Sequence, residues 1–148
     1  RLSTRGRYGL KTMVDLAMEY GRGPMSVAAL AKLQGISESY LEQLVGALRR
    51  AGLVVSARGA QGGYSLARGP DEITVEQVLQ ALEEITSLVD CVSLEPSCDN
   101  VCSCSTRPLW LKIQSGINAV LRSTTIKDLA DDYSIQQRRQ IGNETDLS

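Results

Sequence analysis

The sequence predicts a mainly α-helical winged helix-turn-helix with a small β-hairpin wing, followed by a long C-terminal helix. Three observations predict it. A short helix, a glycine turn and a longer amphipathic helix follow one another from Ser26 to Arg50. Two short apolar strands flank a glycine-rich loop between Leu53 and Ala67. Apolar residues resume helical spacing from Pro108, after a stretch with no period at all.

The elements follow in order. Residues 7–20 read as a helix, with Leu10, Met13, Val14 and Ala17 at helical spacing and Gly21 and Gly23-Pro24 as its stop. Ser26 caps a short helix to Leu33, turning Val27, Leu30 and Ala31 inward. Gln34-Gly35-Ile36 makes the turn. Ser37 caps a third helix to about Arg50, whose buried stripe is Leu41, Leu44, Val45 and Leu48. Gly52 ends it. Leu53–Ala57 and Tyr64–Ala67 read as strands around a loop at 58–63. Thr74 and Gln77 form a capping box for a helix from Val75 to about Ser87, with Val75, Val78, Leu79, Leu82 and Ile85 as its core face. Pro108 suits the first turn of a helix to about Ser123, striped by Leu109, Trp110, Ile113, Ile117, Val120 and Leu121. Thr125 and Asp128 cap a last short helix ending near Tyr133. The polar residues 134–148 read as a flexible tail.

The chain of 148 residues suits one compact domain with an extension. No apolar run approaches the roughly 20 residues of a membrane span, and no signal-peptide pattern opens the chain. A formal charge of −1 first suggests no anionic partner. The distribution says otherwise. Residues 1–70 carry ten Lys and Arg against four Asp and Glu, a surplus of six, and residues 71–148 carry six against thirteen. A basic half supplies the sequence-independent part of DNA affinity. The major groove admits a helix read from its first turns, which here present Ser39, Tyr40 and Gln43. Gln bonds adenine bidentately, and Ser bonds various bases. Arg58, at the wing tip, suits a narrow A·T-rich minor groove. With no His, no nucleophile–base pair and no Lys-Ser/Thr after Gly59–Gly63, an enzyme is not expected.

All four cysteines, Cys91, Cys98, Cys102 and Cys104, fall within fourteen residues at C-x6-C-x3-C-x-C spacing. Disulfides do not fit an intracellular DNA binder. Zinc pairs usually sit two to four residues apart, closer than C-x6-C. An iron–sulfur cluster tolerates irregular loop spacing and wants thiolates. From the residues alone, a cluster, zinc and a thiol redox switch all stay open.

Arg1-Leu2-Ser3 through Gly6-Arg7-Tyr8, Gly35-Ile36-Ser37 through Ser39-Tyr40-Leu41-Glu42-Gln43-Leu44, and Arg58-Gly59 through Gly62-Gly63-Tyr64 resemble the Rrf-two (Rrf2) family of bacterial winged-helix regulators. The resemblance covers about residues 1–133. The cysteine loop before Pro108-Leu109-Trp110 is most similar to the family's iron–sulfur cluster regulators. It implies a cytoplasmic homodimer whose long C-terminal helices cross, making 107–133 the dimerisation region, 88–106 the cluster loop and 1–87 the winged-helix domain. It implies a double-stranded DNA operator as partner, read by Ser39, Tyr40, Gln43 and Arg58. It implies a 2Fe–2S cluster held by three cysteines and a histidine and received from the iron–sulfur assembly machinery. Cys91 and Cys98 match the first two cysteines, with one extra residue between them, and Cys104 matches the third. The family's histidine falls on Arg107, which cannot ligate a metal, and Cys102 is the nearest substitute, with Asp99 or a partner carboxylate as further options. Relatives with a 4Fe–4S cluster carry an Asp where this chain reads Arg5-Gly6-Arg7-Tyr8, so that pattern is not met. The implied function is repression or activation of cluster-assembly genes according to cluster status. The competing expectation is a regulator of cysteine or sulfur metabolism, or of redox stress, that senses through thiols or a partner protein without a cluster.

Overall fold

The computed structural model describes residues 3–82 and 105–146, with side chains as far as Gln137. Its elements are helices α1 (Thr4–Met18), α2 (Val27–Gln34) and α3 (Glu38–Arg50), strands β1 (Val54–Ala57) and β2 (Gly63–Leu66), a 3-10 turn (Pro70–Glu72), and helices α4 (Val75–Ala81), α5 (Arg107–Ser123) and α6 (Ile126–Asp146). The mainly α winged-helix class is therefore the observed one.

Local chemistry starts each helix. The hydroxyl oxygens of Ser26, Ser37 and Thr74 accept from the backbone N–H three residues on, and Gln77 returns a bond to the Thr74 N–H. α1 begins earlier than its apolar spacing suggests, because Ser3 accepts from the Gly6 N–H at 3.2 Å. α4 is described only to Ala81, so the rest of its predicted course to Ser87 lies outside the described residues.

One core joins all of this. Met13 and Leu16 of α1, Leu30 of α2, and Leu41, Leu44, Val45 and Leu48 of α3 are buried together with Val54, Leu66, Ile73, Val78, Leu82 and Ile126. The hairpin is antiparallel, from Val54 opposite Leu66 to Ala57 opposite Gly63. A third chain segment extends it, since Met25 and Tyr64 exchange two backbone hydrogen bonds of 2.9 and 2.8 Å. A Cβ at Gly63 would collide with the Met25 carbonyl, so that approach needs glycine.

The C-terminal helices are tied into the same body. The Val75 N–H donates to the Thr124 carbonyl and the Ile126 N–H to the Ile73 carbonyl, each at 2.9 Å. These bonds pin the α5–α6 corner to the start of α4, and fully buried Ile126 anchors it in the core. One expectation needs correcting here. α6 does not stop near Tyr133, and the segment read as a flexible tail is helical through Asp146. The reason is chemical: Gln136, Gln137, Arg138, Arg139 and Gln140 all favour helix, and no proline interrupts them. Ser134 adds a tertiary anchor, its hydroxyl lying 3.5 Å from Met18 Sδ of α1.

α5 differs from the other helices. Only Gln114 is buried, while Leu109, Leu111 and Val120 are 52, 41 and 61% exposed. Trp110, Ile113, Ile117 and Leu121 are half-buried. The predicted apolar stripe is present, but among the described residues nothing covers its outer edge.

Candidate nucleic-acid interface

The turn between α2 and α3 sets the reader's angle. Gly35 ends α2 in the left-handed region (φ 66°), and the Ile36 N–H closes on the Ala31 carbonyl at 3.1 Å. Ser37 then starts α3 at once, and Glu38 in its first turn complements the helix dipole. Because Leu41, Leu44, Val45 and Leu48 face the core, geometry leaves the opposite face to water.

Ser39 and Gln43 both lie on that exposed face, one turn apart. Tyr40 sits at its edge, half-buried. Its ring meets the ring of Tyr8 edge-on, with centroids 6.2 Å apart and planes at 89°. The Lys11 ammonium lies 5.3 Å from the centre of the Tyr8 ring. This Tyr40–Tyr8–Lys11 stack fixes the start of α3 against α1, a tie that no local pattern signals. Arg49 and Arg50 extend the exposed face at the far end of α3.

Arg58 is exposed at the wing tip. The Gly62 N–H donates to the Gly59 carbonyl at 3.0 Å, which closes the loop tightly after Arg58. Among the described residues, no Lys or Arg from Arg5 to Arg68 has an acidic partner within 4.0 Å; the ion pairs there are Arg122–Glu76 and Lys127–Asp131. The basic half is thus uncompensated at the surface, which suits a polyanion.

Cys91, Cys98, Cys102 and Cys104 all lie outside the described residues. Among the described residues no three metal-ligating side chains converge. Arg107, where the resemblance places a histidine, opens α5 half-buried. Also among the described residues, no helix is long and apolar enough to cross a membrane.

With this geometry in place, relatives are informative. Residues 2–132 match the Rrf2 family model, described as an iron-dependent transcriptional regulator. The chain is 45% identical over 130 residues to the HTH-type transcriptional regulator CymR of Bacillus subtilis, covering 88% of this chain and 89% of that one. It is 40% identical over 137 residues to the HTH-type transcriptional regulator IscR of Aliivibrio salmonicida, covering 93% and 81% respectively. The solved structure of CymR, the global cysteine regulator of B. subtilis, superposes with a TM-score of 0.76 at 44% identity over 88% of this chain and 96% of that one. Helix-turn-helix, wing, basic surface and these likenesses agree: the chain belongs to the Rrf2 family of DNA-binding transcription regulators.

Proposed function

We propose that this regulator acts in the bacterial cytoplasm as a homodimer that senses iron–sulfur cluster status and controls cluster-assembly genes. The observation that carries the cluster is the grouping of all four cysteines within fourteen residues of a chain that has no histidine. That donor set fits a thiolate-bound cluster, with Cys91, Cys98 and Cys104 as three ligands and Cys102 as the fourth in place of the histidine that Arg107 replaces. A bound 2Fe–2S cluster would supply a cross-link that is lost on oxidation or iron shortage. A 4Fe–4S cluster fits less well by the resemblance.

The protein's own residues do the rest. Leu109 and Val120, on one edge of the α5 stripe, seat a second copy, so two α3 helices reach successive major grooves of a palindromic operator, about one turn apart. Ser39, Tyr40 and Gln43 read bases, and Arg58 enters the minor groove. The cysteine segment joins α4 to α5 in sequence, so a cluster held there acts on the link between reader and dimer helix. It changes DNA affinity only through contacts that differ between the two states. The iron–sulfur assembly machinery serves as cluster donor.

The test is anaerobic purification followed by iron analysis and visible spectroscopy. Bound iron with thiolate-to-iron absorption is expected, and protein without either overturns the sensing claim. Mössbauer spectra of wild type and Cys102→Ala then report cluster type and fourth ligand. A second reading is favoured by the 45% identity to CymR: a regulator of cysteine or sulfur metabolism that works through thiols or a partner protein. It predicts metal-free protein. In its partner-sensing form, regulation survives replacement of all four cysteines by Ser.

A further inference from the structure

A groove of about 480 Å³ runs between α1, α2 and α6. That size is within the roughly 300–1,000 Å³ range of small-molecule sites. Its walls are apolar, with Leu10 and Val14 from α1 and Leu129 from α6. Two opposite charges, Lys11 and Asp15, sit on the α1 side one turn apart.

These charges feel each other but make no direct contact. Among the described residues Lys11 and Asp15 form no ion pair within 4.0 Å, although an i,i+4 spacing would allow one. Lys11 is instead drawn toward the Tyr8 ring. Asp15 is held from the other side, its Oδ2 accepting from Gln34 Nε2 at 3.1 Å. The same Gln34 amide donates to Thr12 Oγ1 at 2.9 Å, so the carboxylate is fixed by a network joining α1 to the end of α2. Burial pushes the Asp15 carboxyl up from its ordinary 3.8. The other carboxylate oxygen has no protein donor among the described residues.

We propose that this groove binds a zwitterionic amino acid with a large apolar side chain. The ammonium faces Asp15, the carboxylate faces Lys11, and the side chain lies against Leu10, Val14 and Leu129. An ammonium donates to the carboxylate oxygen that Gln34 leaves open and brings a charge into direct contact with it. The lysine selects a carboxylate at the other end. A neutral hydrophobe would leave both charges unused, and a simple amine or acid would satisfy one. Because α2 opens the helix-turn-helix and α6 follows α5 directly, the ligand touches both the first helix of that motif and the return from α5. Binding itself does not depend on the cluster reading.

The test is titration of the full-length protein with L-leucine, followed by calorimetry and by NMR. Three comparison probes each lack one feature: 3-methylbutylamine, 4-methylpentanoate and glycine. Leucine is expected to bind saturably, with each comparison probe weaker by roughly tenfold or more, the effect of one lost charge-assisted contact for the amine and the acid and of lost apolar burial for glycine. In Lys11→Ala, leucine falls to the level of the amine. In Asp15→Asn, it falls to the level of the acid. Lys11 is exposed, and circular dichroism checks that both variants keep the fold. The proposal is overturned if leucine shows no binding up to about 10 mM, far above the micromolar-to-millimolar range of such sites. It is equally overturned if all four probes bind alike, or if Lys11→Ala leaves the preference for leucine over the amine unchanged.

Discussion

α3 and α5 are both amphipathic, yet they spend their apolar faces differently. α3 buries Leu41, Leu44, Val45, Ala47 and Leu48 within its own chain and turns Ser39, Gln43 and two arginines outward. α5 buries only Gln114 and keeps Leu109, Leu111 and Val120 exposed. A helix whose apolar edge is satisfied at home is free to present polar groups to a nucleic acid. A helix whose apolar edge is unsatisfied needs another surface, because contiguous exposed apolar area marks an interaction site. The same amphipathic code therefore serves two ends, and only packing tells them apart.

The largest expected effect tests the α3 side. Leu44→Ala removes a fully buried side chain from the centre of the core and should cost about 2–5 kcal/mol of stability. Denaturant unfolding measures it. An effect under about 1 kcal/mol would mean that α3 is not held as described.

The second tests the α5 side. Leu109→Asp with Val120→Asp should leave the circular dichroism spectrum of the chain nearly unchanged, since both residues are exposed in the single chain. It should raise the dimer dissociation constant at least about 100-fold, because each apolar side chain buried at an interface contributes about 1.5–3 kcal/mol. Sedimentation equilibrium decides. A variant that stays dimeric removes α5 from the interface.

The third compares the outward faces. Gln43→Ala should lose about 1–3 kcal/mol of discrimination at one base pair. Arg58→Ala should weaken operators with A·T-rich flanks most and lower the salt slope of binding by about one. Competition footprinting separates the two. Unchanged footprints in both variants would remove these residues from the reader.

The contrast also explains what was legible in the sequence. Caps at Ser26, Ser37 and Thr74 are local chemistry, and the structure uses each as read. The stripe of α3 is periodic and strong. The cap at Ser3 is silent in the sequence, because the glycine, arginine and tyrosine after it carry no apolar period. The Met25–Tyr64 pairing, the Tyr40–Tyr8 contact and the corner held by Thr124 and Ile73 join residues far apart in the chain, so no window of neighbours contains them. Polar composition alone reads the end of α6 as a tail, whereas helix propensity and a seat on α1 carry it onward. In the reader, Ser39, Gln43 and Arg58 stand exposed, while Tyr40 is also a packing residue.

The smallest effect sharpens the comparison at the corner where α5 gives way to α6. The Asp128 carboxylate accepts from the Thr125 N–H at 2.9 Å, and the Asp128 N–H donates to Thr125 Oγ1 at 3.2 Å. The bond from the Thr125 backbone and then that with its side chain hold this carboxyl below its ordinary 3.8. A depressed carboxyl stabilises the fold above its unfolded value, and that contribution disappears as pH falls through the lower folded value. Asp15, beside α2, has the opposite sign. Its burial outweighs the hydrogen bond from Gln34 and the charge of Lys11, so its folded value is raised. Its contribution is fully present below 3.8 and declines as pH rises through the higher folded value. Melting temperatures across pH 3–7 should therefore move in opposite directions for the two substitutions. Asp128→Asn lowers the melting temperature at pH 7 and converges on wild type in acid. Asp15→Asn matches or exceeds wild type at pH 7 and loses that advantage in acid. Parallel pH profiles in the two variants would show that the α5–α6 corner and the network between α1 and α2 do not carry opposite electrostatic signs.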